Sequence, residues 1–336
     1  MPVTLPPLDE VLASAHVVSL AMRVRFRRVL VREALLLDGP YGWGEFSPFV
    51  EYDDDEAAAW LASGIEAAWH GWLAARRELV DVNATVPAVP AEQVPAILDR
   101  FGDCRTVKVK VAEPGQSLAD DVARVRAVRT ARPDAAIRVD ANGAWTVAQA
   151  TTALRSLAEV GLQYAEQPCA AVDDLVALRE RLDRDHIDVV IAADESVRKA
   201  DDPVRVARTG AVGVAVVKVA PLGGVARTLD VAADLAALGV RVVVSSALDT
   251  SVGIAAGVAA AGALPETPLA CGLGTVALFE ADVCAQPLMP VAGTLPVRTT
   301  APVPDPAGFP AAPDRTQWWL DRLARCWGVL DARRAA

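Results

Sequence analysis

From about residue 82 onward, eight short runs rich in β-branched and small apolar residues recur along the chain: 82–86, 106–111, 136–140, 162–166, 188–194, 214–219, 241–246 and 268–272. Between most of them, apolar residues fall at helical spacing, as in Leu118, Val122, Val125 and Val128, or Val225, Leu229, Ala232 and Leu235. A strand followed by a helix, repeated at this period, builds parallel strands joined by crossovers, and eight such units point to a closed barrel rather than an open sheet. The expected fold is α/β: a (β/α)7β-type TIM-like barrel. An apolar content of 53% is ample for a core of that size.

The flanks read differently. Alternating Arg23, Arg25 and Arg27, then the apolar stretch 34–37, turn at Asp38-Gly39-Pro40 into Tyr41-Gly42-Trp43-Gly44-Glu45, the pattern of an antiparallel meander. Acidic Asp53-Asp54-Asp55-Glu56 suits a helix start, and Trp60, Leu61, Ile65, Ala68, Trp69 and Trp72 carry the helical period to about Leu79. A proline-rich stretch, 302–313, leads into a last helix with Trp318, Trp319, Leu323 and Trp327 on or near one stripe. The expected organisation is an α+β capping domain over 1–80, a barrel over 81–295 with its site at the C-terminal strand ends, and a segment over 296–336 that packs back on the capping domain.

Charge and cysteine usage narrow the function. With 33 Lys+Arg against 43 Asp+Glu the formal net charge is -10, and no long basic run occurs, which argues against nucleic acid or an anionic membrane and favours a small-molecule partner. The five cysteines are scattered, odd in number and without C-x-x-C spacing, so neither a disulfide framework nor a thiolate zinc site is indicated. Asp9 and Glu10 stand where a signal peptide would carry positive charge, and no apolar run is long enough to span a bilayer, so the expectation is a soluble, cytoplasmic protein of unspecified oligomeric state.

In Thr106-Val107-Lys108-Val109-Lys110-Val111, the strand period of two sends both lysines out of one face and the valines out of the other. Taken alone, this is an edge strand with its lysines in water. The strand ends that follow change the balance. The third run ends Arg138-Val139-Asp140-Ala141-Asn142, the fourth Glu166-Gln167-Pro168, and the fifth Asp194-Glu195-Ser196, so three successive strands each deliver a carboxylate to the rim where barrels carry their chemistry. Any one of these acids is as readily a helix N-cap. Three together repel unless a cation sits among them, and an all-oxygen donor set suits Mg²⁺. Lys218 ends the otherwise apolar sixth run, across the ring from Lys108 and Lys110. A metal at the acids could hold a substrate carboxylate while a lysine, its pKa depressed by the cation, removes the adjacent proton.

The order Lys-x-Lys, Asp-Ala-Asn, Glu-Gln-Pro, Asp-Glu-Ser and a strand lysine, one on each successive strand, resembles the enolase superfamily, specifically its muconate-lactonizing subgroup. Within that subgroup, residues 42–49, Arg138-x-Asp140-x-Asn142, residues 245–251 and Cys271-Gly272-Leu273-Gly274-Thr275 are similar to the o-succinylbenzoate synthases of menaquinone biosynthesis. The resemblance implies a hydro-lyase in which Asp140, Glu166 and Asp194 bind Mg²⁺, with Mn²⁺ as the alternative. It implies Lys110 as acid/base, Lys108 as its electrostatic neighbour and Lys218 as stabiliser of an enediolate. The implied reaction is syn dehydration of the carboxylate 2-succinyl-6-hydroxy-2,4-cyclohexadiene-1-carboxylate to 2-succinylbenzoate. Arg138, Ser246, Gly272 and Leu273 are the candidate substrate-binding residues, although Ser and Gly in such positions are as readily ordinary loop chemistry. Residues 23–33 leave little room for the long mobile loop that the family often folds over its site, so either the lid is short, with Arg25 or Arg27 reaching in, or the cap stays more open.

Rival readings remain. N-succinylamino acid racemase or another lysine-based racemase or cycloisomerase shares the fold and site. Dipeptide epimerases bring a D-x-D near the last strand, absent from 271–274, and acid-sugar dehydratases need a strand-end histidine, whereas His16, His70 and His186 fall elsewhere. A metal-free Schiff-base aldolase would use Lys218 without the acids, and a non-catalytic barrel scaffold would use neither.

Overall fold

In the computed structural model, which describes residues 4–26, 29–198, 203–266 and 269–335, a short helix α1 (Leu8–Ala13) precedes three antiparallel strands, β1 (Ala15–Phe26), β2 (Val29–Gly39) and β3 (Gly42–Phe46). The β1–β2 pairing is regular from Ala15↔Leu37 to Ala21↔Val31 and then slips before Phe26↔Val29. Such an irregularity twists a strand and re-aims its side chains. Helix α2 (Asp54–Ile65) begins where the acidic run suggests, with the Asp53 carboxylate accepting from Glu56 N at 2.8 Å. The period suggested a helix as far as Leu79. Instead, α2 passes into one π turn at Glu66–His70 and stops at Gly71, whose φ of 71° no helix continues. β3 lies directly on α2, because a Cβ on Gly44 would sit 2.0 Å from the Gly64 carbonyl oxygen.

After β4 (Leu79–Asp81) the chain runs β5 (Ala84–Val86), α3 (Val94–Leu98), β6 (Thr106–Lys110), α4 (Leu118–Ala131), β7 (Ala136–Asp140), α5 (Val147–Leu157), β8 (Leu162–Glu166), α6 (Val172–Arg184), β9 (Ile191–Ala193) and two short helices, α7 (Glu195–Arg198) and α8 (Arg205–Arg208). It continues through β10 (Val214–Lys218), α9 (Val219–Leu222), α10 (Val225–Ala237), β11 (Arg241–Ser245) and α11 (Ser251–Ala263). The strands from β5 to β11 lie in chain order in one parallel sheet. The eighth run forms no strand of its own among the described residues, and its Pro268 lies outside them. It closes the ring through bridges, Cys271 to Val82 and Gly272 to Ser245, with Asn83 N donating to Cys271 O at 2.9 Å and Gly272 N to Val244 O at 2.8 Å. Gly272 permits this approach, since a Cβ there would meet Ser245 Oγ at 2.4 Å. The result is the expected TIM-like barrel, with β6 an interior strand rather than an edge.

The chain ends by returning to its start. β12 (Thr294–Pro296) pairs antiparallel with β4, and α12 (Pro313–Ala335) lies along α2 and β1. Trp319 is fully buried and donates Nε1 to Glu33 at 2.9 Å, Arg315 pairs with the same carboxylate at 2.6 Å, and Arg322 donates to the Phe49 and Tyr52 carbonyls at 3.1 and 2.6 Å. Cys104, Cys169, Cys271, Cys284 and Cys326 are buried free thiols. No helix of the described residues is long and apolar enough to cross a membrane.

Candidate active site

Register places the charged residues before any side chain is considered. Lys110 on β6 is opposite Asp140 on β7, which is opposite Glu166 on β8; Asp194 follows β9 and Lys218 ends β10. All six side chains, Lys108 included, point into the mouth of the barrel and are at most 7% exposed. Lys108 Nζ bridges Glu166 Oε1 at 3.0 Å and Asp140 Oδ2 at 3.2 Å. Lys110 pairs with Asp140 and donates to Asn142 Oδ1 at 2.8 Å, while Lys218 pairs with Asp194. Asn142 holds a left-handed φ of 48°, which asparagine tolerates, and its amide reaches Glu195 Oε1 at 3.2 Å. Gln167 knits two strand ends together: its Oε1 accepts from Asp194 N at 3.0 Å and Ser196 N at 3.2 Å, and its Nε2 donates to Ser196 Oγ at 2.7 Å.

Electrostatics follow from burial. Burial, then repulsion from Asp140, pushes the Glu166 carboxyl up to about 7, against the pull of Lys108. For Lys108, burial would lower the ammonium, but Glu166 and Asp140 outweigh it and hold the group above its ordinary value. Among the described residues, no three acid side chains converge as a ready-made metal cage, since the ammonium groups hold the carboxylates. The donor set nevertheless fits a divalent cation: three buried carboxylates from adjacent strands, hard oxygen ligands only, with enough mutual repulsion to lift Glu166.

A pocket opens at these charges, lined by Lys108, Lys110, Asp194 and Lys218 together with Ser245, Ser246, Ala247, Leu248, Gly272 and Thr275. Ser246 and Gly272 therefore lie where the sequence suggested, with Ser246 Oγ 2.6 Å from Thr275 Oγ1. Arg138 and Leu273 do not. Arg138 is wholly buried in the barrel interior, donating to Gln163 Oε1 at 2.7 Å, Asn83 Oδ1 at 3.1 Å and Ala270 O at 2.7 Å, with its guanidinium 4.7 Å from the Tyr164 ring centre. Leu273 packs under α11 against Gly257. Arg25 is exposed and does not line the pocket, and Arg27 lies outside the described residues. From the opening sheet the contact comes instead from Phe26, whose ring centre is 5.3 Å from Lys110 Nζ. Phe26 and Thr85 carry no signal of the site in the sequence, and Phe49, Ser245, Ala247, Leu248 and Thr275 lie in stretches singled out above without a role given to them; the slip in β1–β2 pairing that turns Phe26 inward leaves no mark in the hydrophobic pattern.

The chain as a whole has counterparts among known proteins. Family models describe residues 17–68 as enolase N-terminal domain-like and residues 90–315 as enolase C-terminal domain-like. The chain is 57% identical over 327 residues to an o-succinylbenzoate synthase of Mycolicibacterium smegmatis, covering 97% of this chain and 98% of that one. It is 56% identical over 330 residues to the o-succinylbenzoate synthase of Mycobacterium tuberculosis strain H37Rv, covering 97% of each. Among solved structures, muconate lactonizing enzyme from Pseudomonas putida superimposes with a TM-score of 0.71 at 20% identity, over 88% of this chain and 98% of that one. The L-Ala-D/L-Glu epimerase from Bacillus subtilis gives 0.73 at 21% identity, over 86% of this chain and 96% of that one. The chain belongs to the enolase superfamily, in the family of those o-succinylbenzoate synthases.

Proposed function

We propose that this chain is an o-succinylbenzoate synthase, a hydro-lyase that converts 2-succinyl-6-hydroxy-2,4-cyclohexadiene-1-carboxylate to 2-succinylbenzoate in menaquinone biosynthesis. The observation that carries the reading is the placement of Lys110 and Lys218 on opposite sides of one pocket with three buried carboxylates between them. Lys110, as the neutral amine, takes the proton next to the substrate carboxylate. The resulting ammonium then returns that proton, on the same face, to the departing ring hydroxyl, which leaves as water while the electron pair of the broken C–H bond enters the ring and makes it aromatic. Lys218 offers its ammonium to the negative charge that develops on the carboxylate, and Lys108 holds the carboxylates around Lys110.

Asp140, Glu166 and Asp194 would hold the divalent metal, Mg²⁺ with Mn²⁺ as the alternative. When bound, it supplies positive charge to the substrate carboxylate. Charge balance supports this: with Lys110 neutral, the ammonium groups of Lys108 and Lys218 leave one of the three carboxylate charges unmet, and a divalent cation would turn that into one net positive charge facing the substrate's reacting carboxylate. The division of labour is 1–80 with 296–336 as the capping unit and 81–295 as the barrel, and the same reading places the enzyme in the cytoplasm, acting on a small dicarboxylate rather than on nucleic acid or membrane.

A second reading, N-succinylamino acid racemase, draws on the same opposed lysines, which could exchange a proton at one carbon from two faces. The test is turnover by the purified protein with Mg²⁺ of the cyclohexadiene substrate beside several N-succinyl amino acids. Dehydration supports the proposal, and turnover of the succinyl amino acids alone would replace it.

A further inference from the structure

Part of the pocket wall is a backbone loop, 246–250, of which Ser246 is tied to the barrel at Gly272 and Thr275, whereas the rest is held largely from the opening sheet. Leu248 sits at a φ of 63°, a left-handed conformation that a residue with a Cβ adopts only where its surroundings hold it. Arg32, on β2 and 4% exposed, donates Nε to the Leu248 carbonyl at 3.1 Å and Nη2 to the Ala247 carbonyl at 3.3 Å, and also reaches the Ser47 carbonyl. Its guanidinium lies 4.6 Å from the centre of the Phe49 ring, itself part of the pocket lining. Glu45, on β3 and 6% exposed, grips the other end of the loop: its Oε2 accepts from Thr250 N at 3.1 Å, Thr250 Oγ1 at 2.6 Å and Gly253 N at 3.0 Å. Ser47 Oγ donates to Glu45 Oε1 at 2.6 Å and so aims it. Gly253 leaves the room for this, since a Cβ there would stand 2.9 Å from Glu45 Oε2.

We infer that Arg32 and Glu45 are positioning residues: a clasp from the opening sheet that fixes Ala247 and Leu248 as the wall for the part of the substrate remote from its reacting carboxylate. Neither touches the reacting atoms. The loop follows β11, the strand next to that of Lys218 and four strands from that of Asp140, so its displacement weakens substrate binding more than it slows proton transfer at Lys110. The identity of that substrate rests on the function proposed above, but the clasp itself does not.

Arg32→Met keeps an apolar stem over Phe49 and removes the donors, Arg32→Lys restores part of them, and Glu45→Ala opens the other jaw. Arg315→Met, which loosens α12 from β2 at Glu33 without touching the loop, controls for general loss of stability. The expected result for Arg32→Met and Glu45→Ala is a KM at least 10-fold higher with kcat within about 3-fold. Arg32→Lys should fall between wild type and Arg32→Met, while Arg315→Met lowers Tm with KM unmoved. Backbone hydrogen exchange over 246–253 should be at least 10-fold faster in Arg32→Met than in Arg315→Met. An unchanged KM and unchanged exchange in Arg32→Met overturn the inference, as does a kcat that collapses at constant KM. Should the wild type fail to turn over the cyclohexadiene substrate, the exchange comparison still decides the clasp on its own.

Discussion

Lys110 carries the sharpest expectation of any single residue. Its Nζ lies between Asp140 and Asn142 under the Phe26 ring, and removing an acid/base that acts twice in one turnover costs about 10³-fold or more in kcat. Lys110→Ala should therefore lose dehydration at unchanged far-UV circular dichroism; residual turnover within 10-fold of wild type would remove it from the mechanism. The six charged residues were legible because β-strand parity and barrel topology together send strand-end side chains to one rim. The two misplaced residues fail for equally physical reasons. Arg138 shares the inward face with Asp140, but two residues of strand rise, about 6.6 Å, set it a layer deeper, where Asn83 and Tyr164 receive it. Leu273 follows Gly272, and successive residues in extended chain face opposite sides, so only one of the two could look into the pocket.

At the scale of elements, the repeated strand and helix pattern was readable because each unit makes its periodicity locally, with β7 and β8 lying where the pattern put them. The eighth run was read as a strand like the others, yet it closes the ring only through bridges, to Val82 from far along the chain and to Ser245 by the backbone approach that Gly272 allows. Equally invisible was the way the opening module caps barrel helices from outside. Glu66, the residue at which α2 turns into its π turn, accepts from the backbone N–H of Val225 and Ala226 at the start of α10. Helix N-termini leave such donors without intrahelical partners and favour negative charge. Glu66→Ala would strand the buried N–H of Val225 and the partly buried N–H of Ala226, so it should lower unfolding stability by about 2 kcal/mol, as read from urea midpoints. A midpoint equal to that of wild type would mean that α10 is capped without help.

For the whole molecule, the contest is between charges gathered at the rim and the burial imposed on them by the docked cap. Removing divalent cations with EDTA should abolish turnover, and adding back Mg²⁺ should restore it and raise Tm, since a ligand that binds only the folded state stabilises it. Turnover that survives EDTA would sink the metal assignment of Asp140, Glu166 and Asp194. The docking surface has a pH dependence of its own. Burial, followed by the charge of Asp249, pushes Glu45 up from 4.5 to about 7, against the hydrogen bonds from Ser47 and Thr250. A carboxyl whose folded pKa lies above its unfolded one contributes stability that is fully present below the unfolded value, because both states then hold the proton. Between about 4.5 and 7 the unfolded chain releases it first, so the contribution falls as pH rises and is gone above the folded value. Asp249, raised by burial as well, works in the same direction. Glu45→Gln removes the titration, so the stability of wild type relative to this variant should be greater at pH 5 than at pH 8. The difference should be about 3 kcal/mol at most, because each tenfold gain in proton affinity on folding is worth ~1.4 kcal/mol. Urea midpoints of both proteins at the two pH values measure the difference directly. Parallel pH dependence in the two proteins would show that Glu45 enters the folded cap already ionised, its charge fully met by the start of α11.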